Sequence, residues 1–249
     1  MHITLGASFI ATKGYAAPEI AQTYTYAQQL CKHLDNPRQI FMVLRGLWNY
    51  YQGRAEYHIA RTLGEQLLAL AQQAQDSAMF LAAYRTLGAT LFWVGAIASA
   101  HTHLAQGIAL YDLQLHRAST FLYGEDAGVV CRTLDALTLW LLGYPDQGLT
   151  QSQEALALAQ QIGHPFSLGF ALSNTAIFYH LRREVRATQE HTEAAMSLSP
   201  EQQSPQGKAG GTLLHGWALV QQGQAQEGSE QLTQGLTAWR ASGAEIGRP

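Results

Sequence analysis

The sequence predicts an all-α protein, a right-handed α-solenoid of about six antiparallel helix pairs. The first observation is that three segments, "YRTLGATLFWVG", "LDALTLWLLGY" and "LLHGWALVQQG", carry helical patterns that stop at Gly95, Gly143 and Gly223. The second is that small residues stand at the same distances from each of these glycines: seven positions before it, and five and twelve positions after it. A pattern that recurs at a fixed spacing indicates stacked helical repeats.

Helix packing explains the small residues. Glycine inside a helix costs about 1 kcal/mol relative to alanine, so its repeated use needs a compensating gain. Paired helices that cross closely provide that gain, because close approach buries more surface. We therefore expect these residues to lie at helix crossings. Those before the turn are Gly88, Ala136 and Gly216, and those after it are Ala100, Gly107, Gly148, Ala155, Gly228 and Gly235.

Weaker copies of the pattern fill the rest of the chain. They place further turns at Gly14, Gly53 and Arg182. All six turns together recur roughly every 41 positions, which is the size of one helix pair with its connections. Because the copies cover nearly the whole chain, residues 1–249 are predicted to form a single domain.

Two features depart from the repeat. The segment "SLSPEQQSPQGKAGG" is rich in Pro, Gly and Gln, which predicts an irregular loop at about 199–210. The chain ends at "GAEIGRP", where another helix would begin, so we expect a piece of a longer protein. A repeat end without a cap leaves apolar side chains in water. We therefore expect a homo-oligomer, most simply a dimer, through the C-terminal or the N-terminal end.

The repeat resembles the tetratricopeptide repeat (TPR). Its pattern of small, turn and apolar positions is carried by Leu87, Gly88, Leu91, Gly95, Ala100, Leu104 and Gly107. The spacing exceeds that of a standard TPR, which is about 34 residues, and this implies longer helices. The segments "LGEQLLALAQQAQD", "FLYGEDAGVV" and "WLLGYPDQGLTQSQEALALAQ" look like the C-terminal TPR region of large bacterial signalling proteins. Those proteins place a cyclase or kinase domain and a STAND-type ATPase ahead of their repeats, and this chain contains neither.

Composition excludes several classes of partner. The chain has a net charge of −3 and only 13% charged residues, so it offers no basic surface for nucleic acid. Its longest apolar run, "ALTLWLLGY", is too short to cross a bilayer. The start "MHITLGASFIATKGYAAP" lacks the basic n-region of a signal peptide. Cys31 and Cys131 form no CxxC or disulfide framework, which favours a cytoplasmic location.

Motifs for catalysis and for cofactors are absent from the sequence. There is no P-loop, no GxSxG and no HExxH, and we expect no cofactor and no metal. His101 and His103 stand two apart, so on a helix they point in different directions. The insertion 113–130 offers a hydroxyl, a base and a carboxylate for acyl transfer, in Ser119, His116 and Asp126. The alternative is a connection between repeats whose charges cap helices.

The aromatic residues near the ends of the first helices are the more informative feature. In TPR proteins the first helix of each pair lines the concave face, which implies a groove for ligands there. The expected groove residues are Tyr50, Tyr51, Arg85, Phe92, Trp93, Trp140, Tyr179, His180 and Trp217. Aromatic rings in a groove suit a peptide or an amphipathic helix. The alternative is that some of these rings belong to the core between repeats.

The favoured function is therefore a non-catalytic module that binds protein or peptide segments, including domains of its own parent protein. Two other functions stay open. One is an esterase-like hydrolase whose site lies on the insertion 113–130, and the other is a sensor of a small apolar ligand held by the aromatic rings.

Overall fold

The computed structural model describes residues 36–198 and 205–241, and this part of the chain forms eleven α-helices and no β-strand. The all-α prediction is confirmed for these residues. The pair predicted around Gly14 lies outside them. The helices are α1 (Pro37–Gly53), α2 (Tyr57–Ala74), α3 (Ser77–Trp93), α4 (Ile97–Leu110), α5 (Leu113–Tyr123), α6 (Ala127–Leu141), α7 (Pro145–Ile162), α8 (Pro165–Leu181), α9 (Val185–Met196), α10 (Pro205–Gln221) and α11 (Ala225–Ala241).

The chain divides into two compact units, with the boundary at the start of α6. The first unit contains the pairs α1/α2 and α3/α4 and the single helix α5. The second contains the pairs α6/α7, α8/α9 and α10/α11. A continuous single domain over 1–249 stays a prediction.

Each of these pairs is joined by the same left-handed turn. The residues with positive φ in the turns are Ala55, Gly95, Gly143, Arg183 and Gly223, which recur at a constant spacing except for a longer interval between Gly95 and Gly143. In each turn the amide of this residue donates to the carbonyl three positions earlier, and the next amide donates to the carbonyl five positions earlier. These two bonds satisfy carbonyls at the end of the first helix, as in a Schellman motif.

Two of the predicted turns need correction. The sequence predicted a turn at Gly53, but Gly53 is the last residue of α1 and is buried, and the chain turns at Ala55. Likewise the left-handed residue is Arg183 instead of Arg182. In both places a non-glycine residue adopts positive φ, which sequence reasoning does not expect of alanine or arginine.

The longer interval between Gly95 and Gly143 accommodates α5. The insertion connects two helix pairs, as the alternative to an acyl-transfer site expected, and most of it is helical. Asp112 caps this helix, because its side chain accepts hydrogen bonds from the amides of Gln114 and Leu115, at 2.8 and 2.9 Å.

The predicted loop at 199–210 is also corrected in part. Residues 205–210 form the beginning of α10, and proline is a residue that the first turn of a helix accepts. Farther along the same helix, Gly211 lies close to α9: a Cβ built on it would lie 3.3 Å from Cγ of Met196. Residues 199–204 lie outside the described part of the chain.

The small residues lie at helix crossings, as predicted. A Cβ built on Gly148 would lie 2.8 Å from the carbonyl oxygen of Ala136, and one on Gly228 would lie 2.6 Å from that of Gly216. The first pair is different. Trp48 stands seven positions before Ala55, where the other pairs have glycine or alanine, and it is 2% exposed.

Candidate functional site

Exposed apolar side chains mark the last residue of three first helices. Trp93, Leu141 and Leu181 each stand two positions before the left-handed residue, and they are 40%, 55% and 36% exposed. Large apolar side chains are more often buried, so their recurrence at one repeat position is informative. Of these three, the expected groove set contained only Trp93. Leu141 was omitted because the set was chosen for aromatic side chains, and Leu181 was missed because the turn was placed at Arg182 instead of Arg183.

The corrected turns also change which residues of successive repeats are equivalent to one another. In the corrected register, Gln52 and Gly53 are the residues equivalent to Phe92 and Trp93. Tyr50 and Tyr51 therefore stand two positions before the repeat position that was predicted for them. The two tyrosines are half-buried and contact each other edge to face, with ring centroids 5.3 Å apart. Phe92 and Trp93 make a similar contact at 5.3 Å.

The predicted rings of the second unit pack against neighbouring rings. Trp140 contacts Phe178 with centroids 5.9 Å apart. Tyr179 lies 4.9 Å from His191, and His180 lies 4.3 Å from Trp217. All four predicted side chains are half-buried, so each presents part of its surface and packs with the rest.

Arg85 lies in a buried ion-paired cluster of the first unit and is only 7% exposed. Its Nη2 donates to Oε2 of Glu125 at 2.6 Å. Nη2 of Arg45 donates to Oε1 of the same carboxylate, so Glu125 bridges the two guanidinium groups. Both guanidinium carbons also lie 4.7 Å from the ring centre of Trp48. Such cation–π contacts strengthen when water is excluded. We call Arg45, Trp48, Arg85 and Glu125 the Arg–Glu cluster.

Hydrogen bonds fix the orientation of the ring in this cluster. Nε1 of Trp48 donates to Oγ1 of Thr90 at 2.8 Å, and the hydroxyl of Thr90 lies 3.2 Å from Oε1 of Gln52. Nη1 of Arg45 donates to Oδ1 of Asn49 at 2.5 Å.

Tyr123 lies beside the cluster, with its ring centre 5.8 Å from the guanidinium of Arg45. Burial raises the pKa of its phenol, and the negative charge of Asp76 raises it further, whereas the positive charge of Arg45 acts in the opposite direction.

The sequence could not show that Arg45 and Glu125 join Arg85, because the partners stand 80 and 40 positions apart along the chain. A signal was nevertheless present. Arg45 and Arg85 both stand ten positions before a left-handed residue, so the correct register pairs them as equivalent residues of consecutive repeats.

The structure does not assemble the proposed acyl-transfer site. Nδ1 of His116 lies 2.9 Å from the carbonyl oxygen of Asp112, and the buried Nε2 has no hydrogen-bond partner among the described residues. Ser119 therefore makes no hydrogen bond to this base, as activation of its hydroxyl would require. Asp126 accepts hydrogen bonds from the hydroxyls of Tyr111 and Thr120, at 3.0 and 2.9 Å.

Two further observations concern metal binding and membranes. Within 36–198 and 205–241 no three His, Cys, Asp or Glu side chains are grouped closely enough to hold a metal ion. None of the helices in these ranges combines the length and apolar character that crossing a membrane requires.

No family model matches the chain, and no curated protein matches it in sequence. Solved structures do resemble it in fold. BtubC (BKLC) from P. vanneervenii has a TM-score of 0.63 and is 16% identical, and the match covers 93% of this chain and 92% of that protein. A kinesin light chain-like protein of Podospora anserina, with nearly identical TPR-like repeats, has a TM-score of 0.55 and is 18% identical, over 87% of this chain and 100% of that one.

A third similar structure is a Rap protein in complex with Competence and Sporulation Factor. It has a TM-score of 0.60 and is 12% identical, and the match covers 97% of this chain and 77% of the Rap chain. At these identities the likeness establishes the fold. The chain therefore has an all-α, TPR-like repeat fold.

Proposed function

We propose that this chain is a non-catalytic module that binds protein or peptide segments through the first helices of its pairs. The observation that carries the proposal is the recurrence of exposed apolar side chains at one repeat position, in Trp93, Leu141 and Leu181. A binding surface is enriched in large apolar and aromatic anchors, and a few of them supply most of the affinity.

The rings predicted from the sequence complete the proposed surface of each unit, taken separately. In the first unit they are Tyr50, Tyr51 and Phe92, and in the second they are Trp140, Tyr179, His180 and Trp217. Their half-buried state supports this role, because rings that are held by packing lose little entropy when a partner binds. The Rap structure, solved with a bound factor, provides a precedent for ligand binding on this fold.

The partners that we propose are segments of other proteins, including other domains of a longer parent polypeptide as the signalling resemblance implies. The location that we propose is cytoplasmic, which suits such a role.

The test is peptide selection followed by titration. A random phage-displayed library is selected on the purified chain, and the dissociation constant of the best peptide is measured for variants of the exposed residues. We expect Trp93→Ala, or Leu141→Ala combined with Leu181→Ala, to weaken binding at least about tenfold, since loss of a central anchor costs about 2 kcal/mol or more and about 1.4 kcal/mol is a factor of ten.

Leu115→Ala is the matched control, because Leu115 is 73% exposed but lies on α5. Equal affinity of all variants would contradict the proposed surface. Tight binding of a small apolar dye that competes with no peptide would favour the sensor function instead. Ester turnover that disappears in Ser119→Ala would favour the hydrolase.

We also propose that the chain associates with a second copy through α11. Leu232, Leu236 and Trp239 lie at helical spacing along this element, and Leu236 is 43% exposed. We expect light scattering to show a dimer that Leu236→Glu dissociates. A mass of 27.3 kDa for the unchanged chain at micromolar concentration would contradict self-association.

A further inference from the structure

Met196 is an exposed methionine in the second unit, at the contact between two helix pairs. It is the last residue of α9, and it is 40% exposed. Met79 on α3 is only 4% exposed, and Met42 on α1 is half-buried. A dissolved oxidant reaches an exposed thioether more readily than a buried one. Of the three methionines in the described part of the chain, Met196 is therefore the first to meet such an oxidant.

The side chain of Met196 packs directly on the backbone of α10. A Cβ built on Gly211 would lie 3.3 Å from Cγ of Met196 and 3.9 Å from its Sδ. Gly211 is itself buried within α10, so the thioether lies where the two helices approach closely. Because packed side chains leave little spare volume, a change in the size or polarity of the thioether acts directly on this contact.

Few other apolar side chains of α9 can replace this contact. Met196 is the only apolar residue of the 12 in α9 that is larger than valine. Other contacts between α9 and α10 are polar. Nε2 of Gln222 donates to Oε1 of Gln189 at 2.6 Å, on the surface. Nε2 of His215 lies 3.4 Å from Oε1 of Glu193. Exposed polar contacts add little stability, because water competes for the same groups.

The position of α10 determines one ring contact of the proposed binding surface. Trp217 lies on α10, six positions after Gly211, and its ring centroid is 4.3 Å from that of His180 on α8. α11 in turn packs closely on the backbone of α10 at Gly228. A loss of the thioether contact is therefore transmitted to both helices of the last pair.

We propose that Met196 is a reversible oxidation site, at which a peroxide converts the thioether to a sulfoxide and thereby loosens α10 and α11 from α9. One oxygen of hydrogen peroxide is transferred to a lone pair of Sδ: the O–O bond breaks, an S–O bond forms and water leaves. The sulfur loses two electrons, which reduce the peroxide. A methionine sulfoxide reductase reverses the step with two thiols, which become a disulfide, and the oxygen leaves as water.

The polarity of the sulfoxide explains the loosening. Its oxygen is a strong hydrogen-bond acceptor, whereas the amides inside a helix already donate to carbonyls four positions earlier. The oxidised side chain therefore finds no free donor on the backbone around Gly211, and it gains by turning towards water. Oxidation of methionine disrupts packed contacts in this way in general.

The first test measures where the oxidant acts. The folded chain is exposed to dilute hydrogen peroxide, and the sulfoxide content of each methionine peptide is followed by mass spectrometry. We expect Met196 to react at least about tenfold faster than Met79, and the two to react at similar rates in the urea-unfolded chain. Equal rates in the folded chain would overturn the site.

The second test measures what the oxidation does, by amide hydrogen exchange. After Met196 is converted, we expect exchange in α10 and α11 to be at least about threefold faster, with α1 to α4 unchanged, and reductases for both sulfoxide epimers to restore the original rates. Met196→Leu has a similar volume and no oxidisable sulfur, so it is the matched control for every other residue that peroxide attacks. The treated control should keep its exchange rates.

The remaining outcomes decide the proposal. Unchanged exchange after complete conversion of Met196, or the same acceleration in treated Met196→Leu, would overturn the coupling between the sulfur and the last helix pair. Rates that the reductases do not restore would overturn reversibility. Met196→Gln introduces a polar side chain without peroxide, and it should show the fast exchange of α10 and α11 by itself. Exchange of Met196→Gln equal to that of the unchanged chain would contradict the role of polarity.

Discussion

Two histidines of the repeats are half-buried beside aromatic rings, and each is held mainly in its neutral form. His103 packs against Tyr84, with ring centroids 5.9 Å apart, and burial lowers its pKa. His180 packs against Trp217, and its pKa is lowered first by burial and then by the positive charge of Arg183. Since water does not solvate these rings fully, protonation is less favourable in the folded state than in the unfolded chain.

This difference makes stability depend on pH. Between the lowered pKa of the folded state and the ordinary value of 6.5, the unfolded chain binds more protons than the folded one. Stability therefore falls as the pH is lowered through this range. We expect the urea midpoint to be lower at pH 6.0 than at pH 7.5, and the difference to shrink in His103→Asn and His180→Asn. The same pH dependence in both variants, compared with the exposed-site control His58→Asn, would refute this assignment.

The contacts of individual side chains were the hardest feature to predict from the sequence. The choice of Arg85 as a notable residue came from its repeat position, but the position alone could not show burial against Glu125. The carboxylate belongs to the connection after α5, which the repeat pattern does not cover. His116 and Ser119 are near neighbours on the chain, but their side chains form no hydrogen bond to each other. Nδ1 of His116 lies against the carbonyl of Asp112, and its Nε2 has no partner among the described residues. Sequence spacing does not specify the packing that decides this.

The helix pairs and their turns could largely be predicted. The pattern of small residues identified the crossings of α3/α4, α6/α7 and α10/α11, because close approach admits few residue types. Prediction failed where the turn lacks glycine, at Ala55 and Arg183, since no local signal marks positive φ there. It failed again at 205–210, where proline and glycine predicted a loop and the chain instead begins α10.

The positive φ of the residues in the left-handed turns predicts how substitutions there change the stability of the chain. Ala55 adopts a φ of +56°, which is less favourable for alanine than for glycine. We expect Ala55→Gly to stabilise the chain, by less than about 1 kcal/mol because glycine also gains freedom in the unfolded state. Gly143→Ala should destabilise it by about 1 kcal/mol. No atom lies within 4 Å of a Cβ built on Gly143, so backbone strain alone is tested. Equal and unchanged urea midpoints for both variants would contradict the assigned turns.

In the described part of the molecule, each of the five helix pairs repeats one interaction, a first helix packed against the second helix of its pair. In such arrays the stability of each repeat comes from its own contacts and from its interfaces with the adjacent repeats. A destabilising substitution is therefore expected to affect only the repeats next to it. The sequence predicted this organisation because a repeat is visible as a period. The division into two units at the start of α6 was not predicted, because α5 interrupts the period without a change in composition.

The last helix pair allows a test of how far a local destabilisation spreads along the chain. A Cβ on Gly228 would lie 2.6 Å from the carbonyl oxygen of Gly216 and 2.9 Å from the amide nitrogen of Val220. Both atoms belong to the backbone of α10, so Gly228→Ala must push the two helices apart, at a cost of about 1–3 kcal/mol. We expect faster amide hydrogen exchange in α10 and α11, and unchanged exchange in α1 to α4, measured by mass spectrometry. Ser229→Ala, at the exposed neighbouring position, is the control and should leave the exchange of every helix as it is. If Gly228→Ala instead accelerates exchange to the same extent in α1 to α4 as in α10 and α11, the chain unfolds as one cooperative unit and the nearest-neighbour account is wrong.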